Sequence, residues 1–112
     1  MDRIEETNTA IIGHPLWSDM TMDLIDLAEL SMLCIERGWL ERGEVRLALD
    51  FLMARAEQWV RTPAMNRNME AAAHKKYEDA SRTFSALLLR AANEHGCVFE
   101  ITDCATWAVR KV

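Results

Sequence analysis

The chain has 112 residues, half of them apolar, and carries 13 Lys and Arg against 18 Asp and Glu for a formal net charge of −5. That length fits one domain with a single core, and no run of about 18 apolar residues offers a membrane span. The acidic balance argues against binding along a nucleic-acid backbone, which needs a basic stripe.

Residues 1–16 are polar and broken by Gly13-His14-Pro15, so they read as a flexible arm that precedes a domain over 17–112. The opening Met1-Asp2-Arg3-Ile4-Glu5-Glu6 is acidic and does not read as a signal peptide. Leu16-Trp17 ends the arm as a docking element.

A first helix is expected over about 20–37, capped by Ser18, Asp19 or Thr21 and closed by Gly38. Leu24, Leu27, Ala28, Ser31 and Ile35 share one face, which Ile25 and Met32 widen on one flank. Leu30 and Leu33 fall instead among Asp23, Asp26, Glu29, Glu36 and Arg37, so the apolar surface exceeds a single stripe.

A second helix is expected over about 43–61. Val45, Ala48, Leu49, Leu52, Met53, Ala56, Trp59 and Val60 form its core stripe. Leu47, Phe51 and Ala54 lie on the other side, where an i,i+4 Leu–Phe pair needs a second contact.

Thr62-Pro63 reads as the start of a third helix, over about 63–95, stopped by Gly96. Met69, Ala73, Tyr77, Ala80, Phe84, Leu87 and Ala91 follow at steps of 4, 4, 3, 4, 3 and 4, close to a heptad seam. Leu88 broadens that seam and Leu89 points away from it. A helix of roughly 30 residues reaches about 45 Å. It overhangs its shorter neighbours unless the arm, the tail or a second subunit covers it.

Thr102-Asp103 can cap a short final helix over about 103–111. The alternative is a hairpin with strands near 97–101 and 106–111, weakened by a turn that lacks Gly and Asn. The fold class is therefore all-α: a bundle of three main helices plus a short C-terminal one.

Cys34, Cys97 and Cys104 are an odd number without a secretory signal, which points to free thiols and a cytoplasmic location. Their spacing matches no common zinc pattern. No GxGxxG, P-loop, HExxH or GxSxG occurs. Glu70 and His74 read as a solvated i,i+4 pair, since a di-iron bundle needs Glu-x-x-His motifs that this chain lacks. His95, Cys97 and Asp103 are near in sequence but offer no sign of an activated thiolate. The link between the first two helices invites a helix-turn-helix reading, but Glu41, Glu44 and Asp50 oppose phosphates where only Arg42 and Arg46 attract them. No catalysis, metal, cofactor or direct nucleic-acid binding is expected.

Residues 1–36 hold eight acids and one base, Arg3, whereas 62–112 hold six acids and seven bases, so the charge is lopsided. The expected function is regulation by binding another protein. Leu30, Leu33, Leu47 and Phe51 would anchor it, and Asp23, Asp26 and Glu29 would steer encounter. A homodimer is expected along the seam of Ala73, Tyr77, Ala80, Phe84, Leu87 and Ala91. In size, acidity and lack of catalytic motifs the chain resembles small bacterial anti-activators that sequester a transcription factor, a resemblance of type that no motif carries. The alternatives are a bundle that binds a small ligand among Met20, Met22, Met32, Met53 and Trp59, or a structural subunit of a larger assembly.

Overall fold

The segment expected to be a flexible arm is a helix. A computed structural model describes residues 3–18, 22–62 and 67–112. Its first element, α1 (Arg3–Ile12), repeats Ile4, Thr7, Asn8 and Ile11 at helical spacing and turns them inward. Two polar residues inside that stripe hide it from a hydropathy reading. Asn8 has a structural use, because its Oδ1 accepts the Leu24 N–H at 2.7 Å. That bond satisfies one of the orphan donors at the start of the next helix. The Arg3 guanidinium pairs with Glu57, which ties α1 to a later helix. Trp17 packs half-buried against the core of its own chain.

The second helix, α2 (Leu24–Glu36), begins four residues later than expected. Asp23 caps it: its Oδ1 accepts the Asp26 N–H at 2.8 Å, while Asp26 Oδ2 accepts the Asp23 N–H at 3.4 Å. The earlier caps Asp19 and Thr21 lie outside the described residues. Gly38 ends the helix as expected. With φ +73° it lets Trp39 N–H reach the Cys34 carbonyl and its own N–H reach Ile35, a paired closure that favours glycine.

Helix α3 (Arg42–Arg61) buries Val45, Leu52, Met53, Ala56 and Trp59 of the expected stripe, while Ala48 and Leu49 are half-buried and Val60 is exposed. Helix α4 (Arg67–Glu94) buries Ala73, Tyr77, Ala80, Phe84, Leu88 and Ala91. The expected start of this helix at Pro63 lies outside the described residues. The helices close a ring in which α3 neighbours α4, α4 neighbours α2, α2 neighbours α1 and α1 neighbours α3.

The tail is not a helix. The alternative reading holds: β1 (Cys97–Ile101) and β2 (Trp107–Lys111) form an antiparallel hairpin with Cys97 opposite Lys111 and Ile101 opposite Trp107. The turn closes without glycine because Thr102 N–H donates to the Thr106 carbonyl at 2.8 Å and the two threonine hydroxyls meet at 2.9 Å. Ala105 takes the left-handed position, φ 59°. The Trp107 indole N–H donates to Asp26 Oδ1 at 3.0 Å, which pins β2 to α2. The described residues thus form four helices and a hairpin around one core whose largest fully buried members are Trp59, Tyr77, Ile11, Leu24, Leu27, Leu30, Leu52 and Leu88.

The arm and the tail also cover the long helix. His14 Nε2 meets Glu70 Oε1 at 3.0 Å on the first turn of α4, and β1 lies against its other end. The largest extent of the molecule, 47 Å, exceeds only slightly the length of α4, about 42 Å at 1.5 Å per residue.

Candidate partner-binding groove

Two large side chains of α3 face solvent one turn apart. Leu47 is 74% exposed and Phe51 55%. Beside them runs a groove of about 680 Å³ between α3 and α4. Ala48, Phe51, Ala80, Phe84 and Leu87 give it an apolar floor. Small residues at 48 and 80 leave the trough open where larger ones would fill it.

The rim is basic. Arg55, Lys76 and Arg90 stand around it, with Asp79 as its acid. Asp79 Oδ1 is 3.4 Å from Arg82, and Arg90 lies 3.9 Å from Glu94. The Arg55 guanidinium carbon sits 5.0 Å over the Phe51 ring, a cation–π contact that holds the ring at the surface.

The expected anchors divide. Leu47 and Phe51 are exposed, but Leu30 is wholly buried and belongs to the core, and Leu33 is half-buried against it. The reason is that α2 packs against α1, α4 and β2 together, so its wide apolar surface is consumed inside the chain. The acidic row divides too. Asp23 and Asp26 serve the helix cap and the Trp107 indole, while Glu29 stays exposed.

The seam is also internal. Ala73, Tyr77, Ala80, Phe84 and Ala91 are buried within one chain, and Tyr77 stacks on Trp59 of α3 at 5.2 Å between ring centroids. Leu87 is half-buried and lines the groove. The alanines let α3 approach closely enough to fill most of the seam, which leaves only its edge at Ala80, Phe84 and Leu87 on the groove.

The chemistry-bearing residues do not assemble. The His95 ring stacks on Trp39 at 5.0 Å, and Cys97 Sγ donates to the His95 backbone carbonyl instead of meeting the ring. Cys34 is buried, and desolvation pushes its thiol up to about 11, the wrong direction for a nucleophile. Glu70 and His74 do not pair with each other: Glu70 meets His14, and His74 meets Glu78 at 3.2 Å. His14, His74 and Tyr77 surround the Trp59 ring, whose indole N–H is buried without a partner among the described residues. Burial pushes the Tyr77 hydroxyl up to about 12. Among the described residues no three His, Cys, Asp or Glu side chains converge to hold a metal ion. Of the residues expected to line a ligand pocket, Met53 and Trp59 are core residues, and Met20 lies outside the described residues.

Sequence reasoning missed the basic rim. Arg55, Lys76 and Arg90 come from two helices, and only the pairing of α3 with α4 brings them together. No family model, curated protein or solved structure matches the chain. Among the described residues no helix is long and apolar enough to cross a membrane.

Proposed function

We propose that this protein is a non-catalytic regulator that acts by binding another protein, with the α3/α4 groove and the adjoining Leu47 and Phe51 as its site. One observation carries the reading. Phe51 and Leu47 stand open to solvent on a helix whose other large apolar side chains mostly face the core, and Phe51 lines an apolar trough. Burying a Leu or Phe side chain contributes about 1.5–3 kcal/mol, and aromatic residues in a depression are the usual hot spots of an interface. A bound partner would have its own apolar segment masked, which is how a small inhibitor or anti-activator works.

The test is affinity capture from the native host's lysate with the wild-type chain and a Leu47→Glu/Phe51→Glu variant, both checked for fold by circular dichroism. A stoichiometric partner held by the wild type and lost by the variant is the expected result. A partner held equally by both moves the site away from α3, and recovery of bait alone removes the foreign-partner reading.

A further inference from the structure

The groove has a counterpart across the bundle. The ring order of the helices places the α1/α2 surface opposite α3/α4. There Ile4, Ile25, Ala28 and Met32 line a shallow depression of about 240 Å³, flanked by Glu5 and Glu29. Ile25 is 36% and Met32 44% exposed. Glu36 lies two turns beyond Glu29 on the same strip of α2.

The two surfaces are complementary in charge. The groove is rimmed by Arg55, Lys76 and Arg90. The opposite patch lies in the segment of eight acids and one base, and that base, Arg3, is already paired with Glu57. The strip also fits within the trough: the α4 wall from Lys76 to Arg90 runs about 21 Å and the α2 strip from Ile25 to Glu36 about 17 Å, at 1.5 Å per residue. An apolar strip with acidic flanks therefore meets an apolar trough with basic edges.

Resting on the binding role proposed for the groove, we infer that its occupant is the α1/α2 face of a second copy of this chain. Ile25 and Met32 of one copy enter the trough beside Phe51 and Leu87 of the next. Glu5, Glu29 and Glu36 face Arg55, Lys76 and Arg90. Because the two surfaces differ, the contact is heterologous: every added copy leaves one groove and one patch free, and growth is head to tail. A foreign partner of the groove then competes with self-association.

Sedimentation equilibrium over about two decades of concentration tests this, using the wild type, Phe51→Glu in the groove and Met32→Arg in the patch. Both substituted side chains are exposed, and circular dichroism confirms the fold of each. The wild-type mass rises with concentration past the dimer. Each variant alone stays monomeric, its dissociation constant raised at least about tenfold. An equimolar mixture forms a 1:1 dimer and nothing larger, because one variant keeps its patch and the other its groove. A wild type that stays monomeric, one that stops at the dimer, or a mixture of folded variants that fails to associate overturns the inference. Lysate capture on Met32→Arg separates the two ideas. If self-association fails while this bait holds a foreign partner, only the inference falls; if capture fails as well, the binding role falls with it.

Discussion

Cys34 shows at the scale of one residue how burial sets chemistry. Its thiol is desolvated in the core and pushed from 9.0 up to about 11. The folded state therefore favours the neutral thiol. Stability from this group is complete below pH 9, where the unfolded thiol is also neutral, and is lost as the pH rises from 9 toward 11. The loss amounts to about 3 kcal/mol. Tyr77, pushed from 10.0 to about 12, adds a second decline above pH 10. Urea denaturation at stepped pH should show wild-type stability falling from pH 9, and Cys34→Ala should hold level until about pH 10, where Tyr77 begins to act. An identical slope in both proteins would exclude Cys34 as the cause. The same burial explains which residues were legible. Leu24, Leu27, Val45, Leu52 and Phe84 sit on periodic stripes and are core as read. Leu30 sits within an arc of acids on a helical wheel, and only the packing of other elements around α2 makes it core. Leu47 and Phe51 were legible as outliers because the rest of α3 was already accounted for.

Elements were legible where one face repeats, and less so where polar groups shape the ends. Helices α3 and α4 carry long apolar periods, and the structure places them close to the expected bounds. Helix α1 carries Thr7 and Asn8 in the middle of its buried face, a pattern that hydropathy reads as an arm. The hairpin depends on Thr102, Thr106 and a non-glycine residue with positive φ at Ala105, none of which is a standard turn signal. Asn8 tests the weight of such polar joints. It is 4% exposed, and its Oδ1 accepts the buried Leu24 N–H. Replacing it removes the partner of a buried donor, which costs about 1–3 kcal/mol. Asn8→Ala should therefore lower the unfolding free energy read from urea denaturation by that amount, and Asn8→Asp, which keeps the acceptor, should recover most of it. A neutral Asn8→Ala would mean that α1 is held by Ile11 and the Arg3–Glu57 pair without help.

The whole molecule is defined by the separation of its charge. Acids concentrate on α1 and α2, while the groove edge on α3 and α4 carries Arg55, Lys76 and Arg90. The lopsided count was legible in the sequence, but the basic rim was not, because it exists only once two helices pair. With Asp23 and Asp26 committed to the cap of α2, steering in the proposed contact falls to Glu5, Glu29 and Glu36. Such exposed charges act over a Debye length of about 10 Å at 0.1 M salt. They raise the encounter rate and choose the partner, and they add little once apolar surfaces are in contact. The mixture of Phe51→Glu and Met32→Arg isolates one such encounter, since it stops at a single contact. Stopped-flow mixing at about 20 and about 500 mM NaCl should show association slowing several-fold with dissociation nearly constant. Glu29→Gln in the Phe51→Glu copy should flatten that dependence. Dissociation that quickens while association holds steady would place these charges inside the bound interface, as ion pairs that hold the copies together after they meet.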